Sequence, residues 1–95
     1  MTAPIETVQL RITGQVQGVG YRLWATRTGT SLGLRGWVRN RTDGSVETLV
    51  TGAPKAVAAF IEASRKGPIG AQVRGVIVTP DEDDGSVGFV ARQTE

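Results

Sequence analysis

The residues best equipped for chemistry occupy one short run, Gly14-Gln15-Val16-Gln17-Gly18-Val19-Gly20-Tyr21-Arg22. Glycines at 14, 18 and 20 exclude most regular structure there and let the backbone turn its N–H groups inward. A helix beginning near Tyr21 would add unpaired first-turn amides and the positive end of its dipole. Arg22 would add a planar fork of donors suited to two oxygens of one tetrahedral anion. Together these suit a phosphoryl group. The glycine spacing matches neither the dinucleotide fingerprint nor the nucleotide P-loop, and no Gly-Lys-Ser/Thr follows, so NAD and ATP are disfavoured. Taken by itself, the glycine content is explained at least as well by a tight strand-to-helix corner beside a solvated arginine.

Composition narrows the chemistry further. The chain has no cysteine and no histidine. Disulfides, thiol nucleophiles, serine–histidine triads and the common zinc sites are thereby excluded, and no metal or cofactor is expected. Asp43, Glu47 and the run Asp81 to Asp84 form no convincing acid–base or ligand pair; turns and strand-face charges account for them, and a solvated turn before Gly85 accounts for the run. Asn40 stands at the mouth of an Asp43-Gly44 turn, a common place for asparagine. The net charge of +2 is too small to imply a nucleic-acid or membrane partner. Residues 1–6 lack the basic and apolar regions of a leader, and no stretch approaches the ~20 apolar residues of a membrane span. The expectation is a soluble cytoplasmic protein with one domain over residues 1–95, burying roughly two-thirds of its unfolded surface.

The elements that must position these residues follow from periodicity. Thr7 to Thr13 alternates, with Val8, Leu10 and Ile12 on one face, as a half-buried strand requires. After the glycine loop, Tyr21, Ala25, Thr28 and Leu32 form a helical stripe, weakened by Thr26, Thr28, Gly29 and Thr30 and stopped at Gly33. Leu34 to Asn40 and Ser45 to Thr51 flank the Asp43-Gly44 turn as a hairpin, with Val38 and Asn40 sharing a face. Pro54 opens a second helix carrying Val57, Phe60, Ile61 and Ser64, and Gly67-Pro68 ends it. Val73 to Thr79 is a fourth strand and Val87 to Ala91 a short fifth. The order predicts an α+β fold, a ferredoxin-like α/β sandwich: βαββαβ plus a terminal strand, with two helices on one face of an antiparallel sheet.

Two segments carry a resemblance. Gly14 to Arg22 resembles the first acylphosphatase signature, Gly-x-Val-Gln-Gly-Val, one residue, an aromatic, then Arg. Gly36-Trp37-Val38-Arg39-Asn40, with Asp43-Gly44-Ser45-Val46-Glu47 and Gly52, resembles the second. Order and separation also match, and the likeness spans nearly the whole chain. It implies that the backbone amides of Gln17, Gly18, Val19, Gly20, Tyr21 and Arg22 cradle phosphate, that Arg22 is the phosphate-binding arginine, and that Asn40 orients the attacking water. It implies hydrolysis of acyl phosphates to carboxylate and inorganic phosphate, with no metal, no phosphoenzyme and, by default, a monomer. Tyr21 stands where phenylalanine is common, and Thr26 to Thr30 is a weaker helix than usual; neither touches the donors.

Two rivals share the fold. A phosphoryl-binding regulatory domain would use the same loop without turnover, as the fold also occurs fused into larger carbamoyl-transferring maturation proteins; the chain's end at Glu95 favours a free-standing enzyme. A nucleic-acid module would need stacking aromatics on the central strands. Of the five aromatics only Trp37, beside Arg39, lies where it could serve, so no nucleic-acid partner is expected.

Overall fold

The computed structural model describes residues 3–95. Its elements are β1 (Glu6–Gln15), α1 (Tyr21–Ser31), β2 (Arg35–Asn40), β3 (Val46–Gly52), α2 (Pro54–Ser64), β4 (Gln72–Pro80) and β5 (Phe89–Ala91). The strands form one sheet in the order β4-β1-β3-β2-β5. Both helices pack on the face that carries Val8, Leu10 and Ile12 of β1, Val38 of β2, and Val46 and Val50 of β3, all buried. Period-two alternation supplied that apolar face, and the helices cover it with Tyr21, Ala25, Val57 and Phe60. The ferredoxin-like α+β sandwich read from the sequence is the observed fold.

Three details differ from the sequence reading. The helical stripe of α1 runs through Gly29, not Thr28. A Cβ at Gly29 would stand 2.5 Å from the Phe89 ring, so the residue that weakens the helix is the one that admits its neighbour. The first strand continues through Gly14 and Gln15, pairing with Val73 and Gln72 after a register shift at Thr13/Gly14. The shift leaves Arg74 of β4 as the extra residue of a bulge, opposite the end of β1 that enters the loop. The third concerns the last strand.

β5 begins at Phe89 and runs parallel to β2, whereas the other pairings are antiparallel. The sheet is therefore mixed. To reach that edge from β4, the chain crosses past the Thr7–Thr51–Arg35 row. The Asp81 amide donates to the Thr7 carbonyl (3.1 Å), Asp83 pairs with Arg35 (2.5 Å), and Trp37 Nε1 donates to Asp84 (3.0 Å). The acidic turn is thus a clamp as well as a solvated loop. Hydrogen bonds from Arg35 to Asp83, and from the Ser86 hydroxyl and amide to Asp84, hold both carboxyls below the usual carboxylate range. The clamp delivers residues 92–95 alongside the end of β2.

Candidate active site

The glycine-rich loop lies between β1 and α1, and its shape follows from backbone conformation. Gly18 and Gly20 hold φ of 74° and 80°, in the left-handed region where a side chain is disfavoured. Gly20 is also the N-cap of α1 and offers no side-chain cap. The first intrahelical bond runs from the Trp24 amide to the Gly20 carbonyl (3.0 Å), so the amides of Tyr21, Arg22 and Leu23 have no partner within the helix. No acidic residue occupies the first turn, and its positive end is not offset locally.

A cavity of about 230 Å³ opens here, lined by Val16, Gly18, Gly20, Tyr21, Arg22, Leu23 and Asn40. Of the residues singled out from the sequence, Gly18, Gly20, Tyr21, Arg22 and Asn40 meet around it. Gln17 and Val19 do not line it. Val16 and Leu23 do, although neither was foreseen. Asn40 ends β2 on the same face as Val38, because alternate strand residues share a face, and the first turn of α1 lies against that end of the sheet.

Gln17 has a different part. Its Nε2 donates to the carbonyls of Arg41 and Ser45, both at 2.8 Å. It thereby ties the glycine loop to the β2–β3 hairpin beside Asn40. That hairpin is closed by the Gly44 amide donating to the Arg41 carbonyl (3.1 Å), and by Asp43 Oδ1 accepting from the Ser45 amide (2.9 Å) and hydroxyl (2.6 Å). The two bonds from Ser45 hold the Asp43 carboxyl below its ordinary range. Tyr21 lines the cavity and belongs to the core, where its hydroxyl donates to the Ser64 carbonyl (2.6 Å). Burial pushes this phenol well above its ordinary pKa.

Arg22 Nη1 donates to the Arg92 carbonyl at 3.2 Å, a neutral acceptor that leaves the guanidinium charge unneutralised. The tail that supplies this carbonyl is itself tied to β2: the Arg92 amide donates to the Val38 carbonyl (2.8 Å), and the Glu95 amide to the Asn40 carbonyl (3.1 Å). Residues after β5 therefore hold both Arg22 and the backbone of Asn40. Nothing in the sequence pattern marked them, since they are exposed and lie outside any regular element. The lining includes no carboxylate, thiolate or imidazole, and offers nothing a divalent cation would select. It offers main-chain amides, one guanidinium and one carboxamide, a donor set for an anion.

Known proteins resemble this chain in sequence and in fold. A family model described as acylphosphatase matches residues 8–91. An acylphosphatase of Rhizobium etli is 54% identical over 71 residues, spanning 75% of this chain and 76% of its own. One from Rhodospirillum rubrum is 48% identical over 85 residues, 90% of this chain and 93% of its own. The crystal structure of acylphosphatase from Bacillus subtilis superimposes with a TM-score of 0.88 at 32% identity, covering 94% of this chain and 99% of that one. With the matched region containing the glycine loop, Arg22 and Asn40, the chain belongs to the acylphosphatase family, hydrolases that act on acyl phosphates.

Proposed function

We propose that the cavity between the glycine loop and Asn40 is where the acyl phosphate is hydrolysed. One observation carries this reading: Arg22 and Asn40, from different elements, open into the same cavity as Gly18 and Gly20. The amides of Gly18, Gly20, Tyr21 and Arg22 and the Arg22 guanidinium hold the phosphoryl oxygens. The Asn40 carboxamide, with one acceptor and two donors, holds a water in line with the leaving oxygen. That water attacks phosphorus, the bond from phosphorus to the acyl oxygen breaks, and the leaving group departs as carboxylate. A mixed anhydride needs positioning and charge stabilisation more than a strong base. The water's proton passes to a phosphoryl oxygen, in keeping with a lining that contains no imidazole or carboxylate.

The same lining supports catalysis without a metal. A monomer acting in the cytoplasm completes the reading, consistent with a chain free of cysteine. Binding to nucleic acid is not part of it, because Trp37 is only 8% exposed, with the guanidiniums of Arg39 and Arg92 each 4.8 Å from its ring centroid. Release of phosphate from benzoyl phosphate, measured with a chelator present, tests the assignment. Turnover that survives chelation and disappears in Arg22→Ala is expected. Tight phosphate binding without turnover would make the chain a phosphoryl-binding domain instead, and turnover lost to the chelator would contradict metal independence.

A further inference from the structure

Leu23 is exposed where a leucine has little reason to be. It occupies the third position of α1, is 56% exposed, and lines the cavity. It is neither a core residue, since Tyr21, Ala25 and Gly29 form the buried stripe, nor a cap. Side chains on a helix lean toward its N-terminus, so the Leu23 side chain leans back over the mouth that its own amide helps to form.

The cavity's size gives that position a use. At about 230 Å³ it is smaller than the roughly 300–1,000 Å³ pockets that enclose drug-sized ligands. That leaves room beside a phosphoryl group for a small acyl group, which then meets the residues of the lining, Leu23 among them. On the glycine side the way is open, since a Cβ at Gly18 or Gly20 would meet nothing within 4 Å. Beyond Arg22, which is committed to the phosphoryl end, no lysine, arginine or carboxylate lines the cavity to pair with a charged acyl substituent.

We infer that Leu23 is the acyl-contacting wall of this site and a specificity-determining residue, so that the enzyme favours acyl phosphates whose acyl group is uncharged and apolar, aromatic ones included. The inference rests on the proposed use of the cavity for hydrolysis. An aromatic acyl group covers Leu23 and removes apolar surface from water; an acetyl group is too short to do so.

The test compares kcat/KM for benzoyl phosphate and acetyl phosphate in the wild type, Leu23→Ala and Leu23→Gln, alongside the inhibition constant of inorganic phosphate. Both variants should lower the benzoyl-to-acetyl ratio about fivefold, the scale of one to two buried methylene groups, with a smaller change in phosphate inhibition. An unchanged ratio overturns the inference. So does a uniform loss for both substrates and for phosphate, because Leu23 would then only shape the loop. Arg22→Ala, assayed in parallel, separates the two levels. If it retains turnover, the cavity is not the site and the parent reading fails; if it is inactive while the ratio is unmoved in the Leu23 variants, the acyl wall alone is wrong.

Discussion

Arginines stand on both sides of this sheet, and the two sides use them in opposite ways. On the face away from the helices, Glu47 is only 4% exposed, yet it is surrounded by positive charge. Arg39 Nε lies 2.7 Å from Oε1, Arg41 Nη1 3.4 Å from Oε1 and Arg11 Nη2 4.0 Å from Oε2, while Gln9 Nε2 donates to Oε2. Arg11 also pairs with Asp43, and Arg39 with Glu95. At the helix-side cavity, Arg22 meets a carbonyl and, among the described residues, no carboxylate. A count of arginines would rank the open face as the stronger anion site. The difference teaches that an anion site needs charge left uncompensated by its own fold, and one guanidinium beside unpaired amides meets that need better than three around a glutamate.

The sharpest break of this contrast is Arg22→Ala, which removes the uncompensated charge. We expect kcat/KM to fall about 10³-fold and phosphate affinity to weaken by about 1.5–3 kcal/mol, in steady-state kinetics and phosphate titration. Asn40→Ala should lower kcat roughly 100-fold while leaving phosphate affinity close to wild type, because in the proposed mechanism Asn40 holds the water and not the anion. Equal loss of phosphate affinity in the two variants would dissolve the division of labour.

On the open face the prediction inverts. Glu47→Gln should cost about 1–3 kcal/mol of stability in urea melts, since Arg39 and Arg41 lose their shared partner in a largely buried place. Its kcat/KM should stay within about twofold of wild type. A large kinetic effect would show the two faces to be coupled.

Tyr21→Phe is the smallest change, costing about 1 kcal/mol through the lost hydrogen bond to Ser64. It also carries a pH signature. Burial raises the folded-state pKa of Tyr21 above its ordinary value near 10. The wild type therefore has this contribution in full below about pH 10, and loses it as the unfolded chain ionises first on the way up. The slope is about 1.4 kcal/mol per pH unit. The variant should lack that part of the alkaline slope in melts taken across pH 9 to 12, and identical slopes would show the phenol to be accessible in the native state.

Much of the frame was readable along the chain because the signals are local. Val8, Leu10 and Ile12 alternate, Pro54 opens α2 in the first turn, and Gly33 sits in the left-handed position that ends α1, with the Leu34 amide returning to Gly29 (2.9 Å) and the Gly33 amide to Thr30 (3.0 Å). Gly18, Gly20 and Arg22 were legible for the same reason: loop, helix start and cation are neighbours in sequence. Gln17 shows where that reading ends. Its place in the loop was visible, but the partners of its side chain, Arg41 and Ser45, are brought to it only by the β2–β3 hairpin. The parallel docking of β5 was not legible either, because three residues carry no register signal of their own.

From the amino-acid order alone came the fold class, the glycine loop, the exclusion of thiol and imidazole chemistry, and Asn40 on the same face of β2 as Val38. Each depends on backbone preference or on residues within a few positions of one another. Tertiary structure decided which cations keep their charge available, that the tail beyond β5 holds Arg22, and that Leu23 stands at the cavity's edge. These depend on what lies opposite each group across distances the chain closes only when it packs. A guanidinium reads the same in sequence whether its neighbour is a carboxylate or a carbonyl, and that neighbour determines whether it can hold a phosphate.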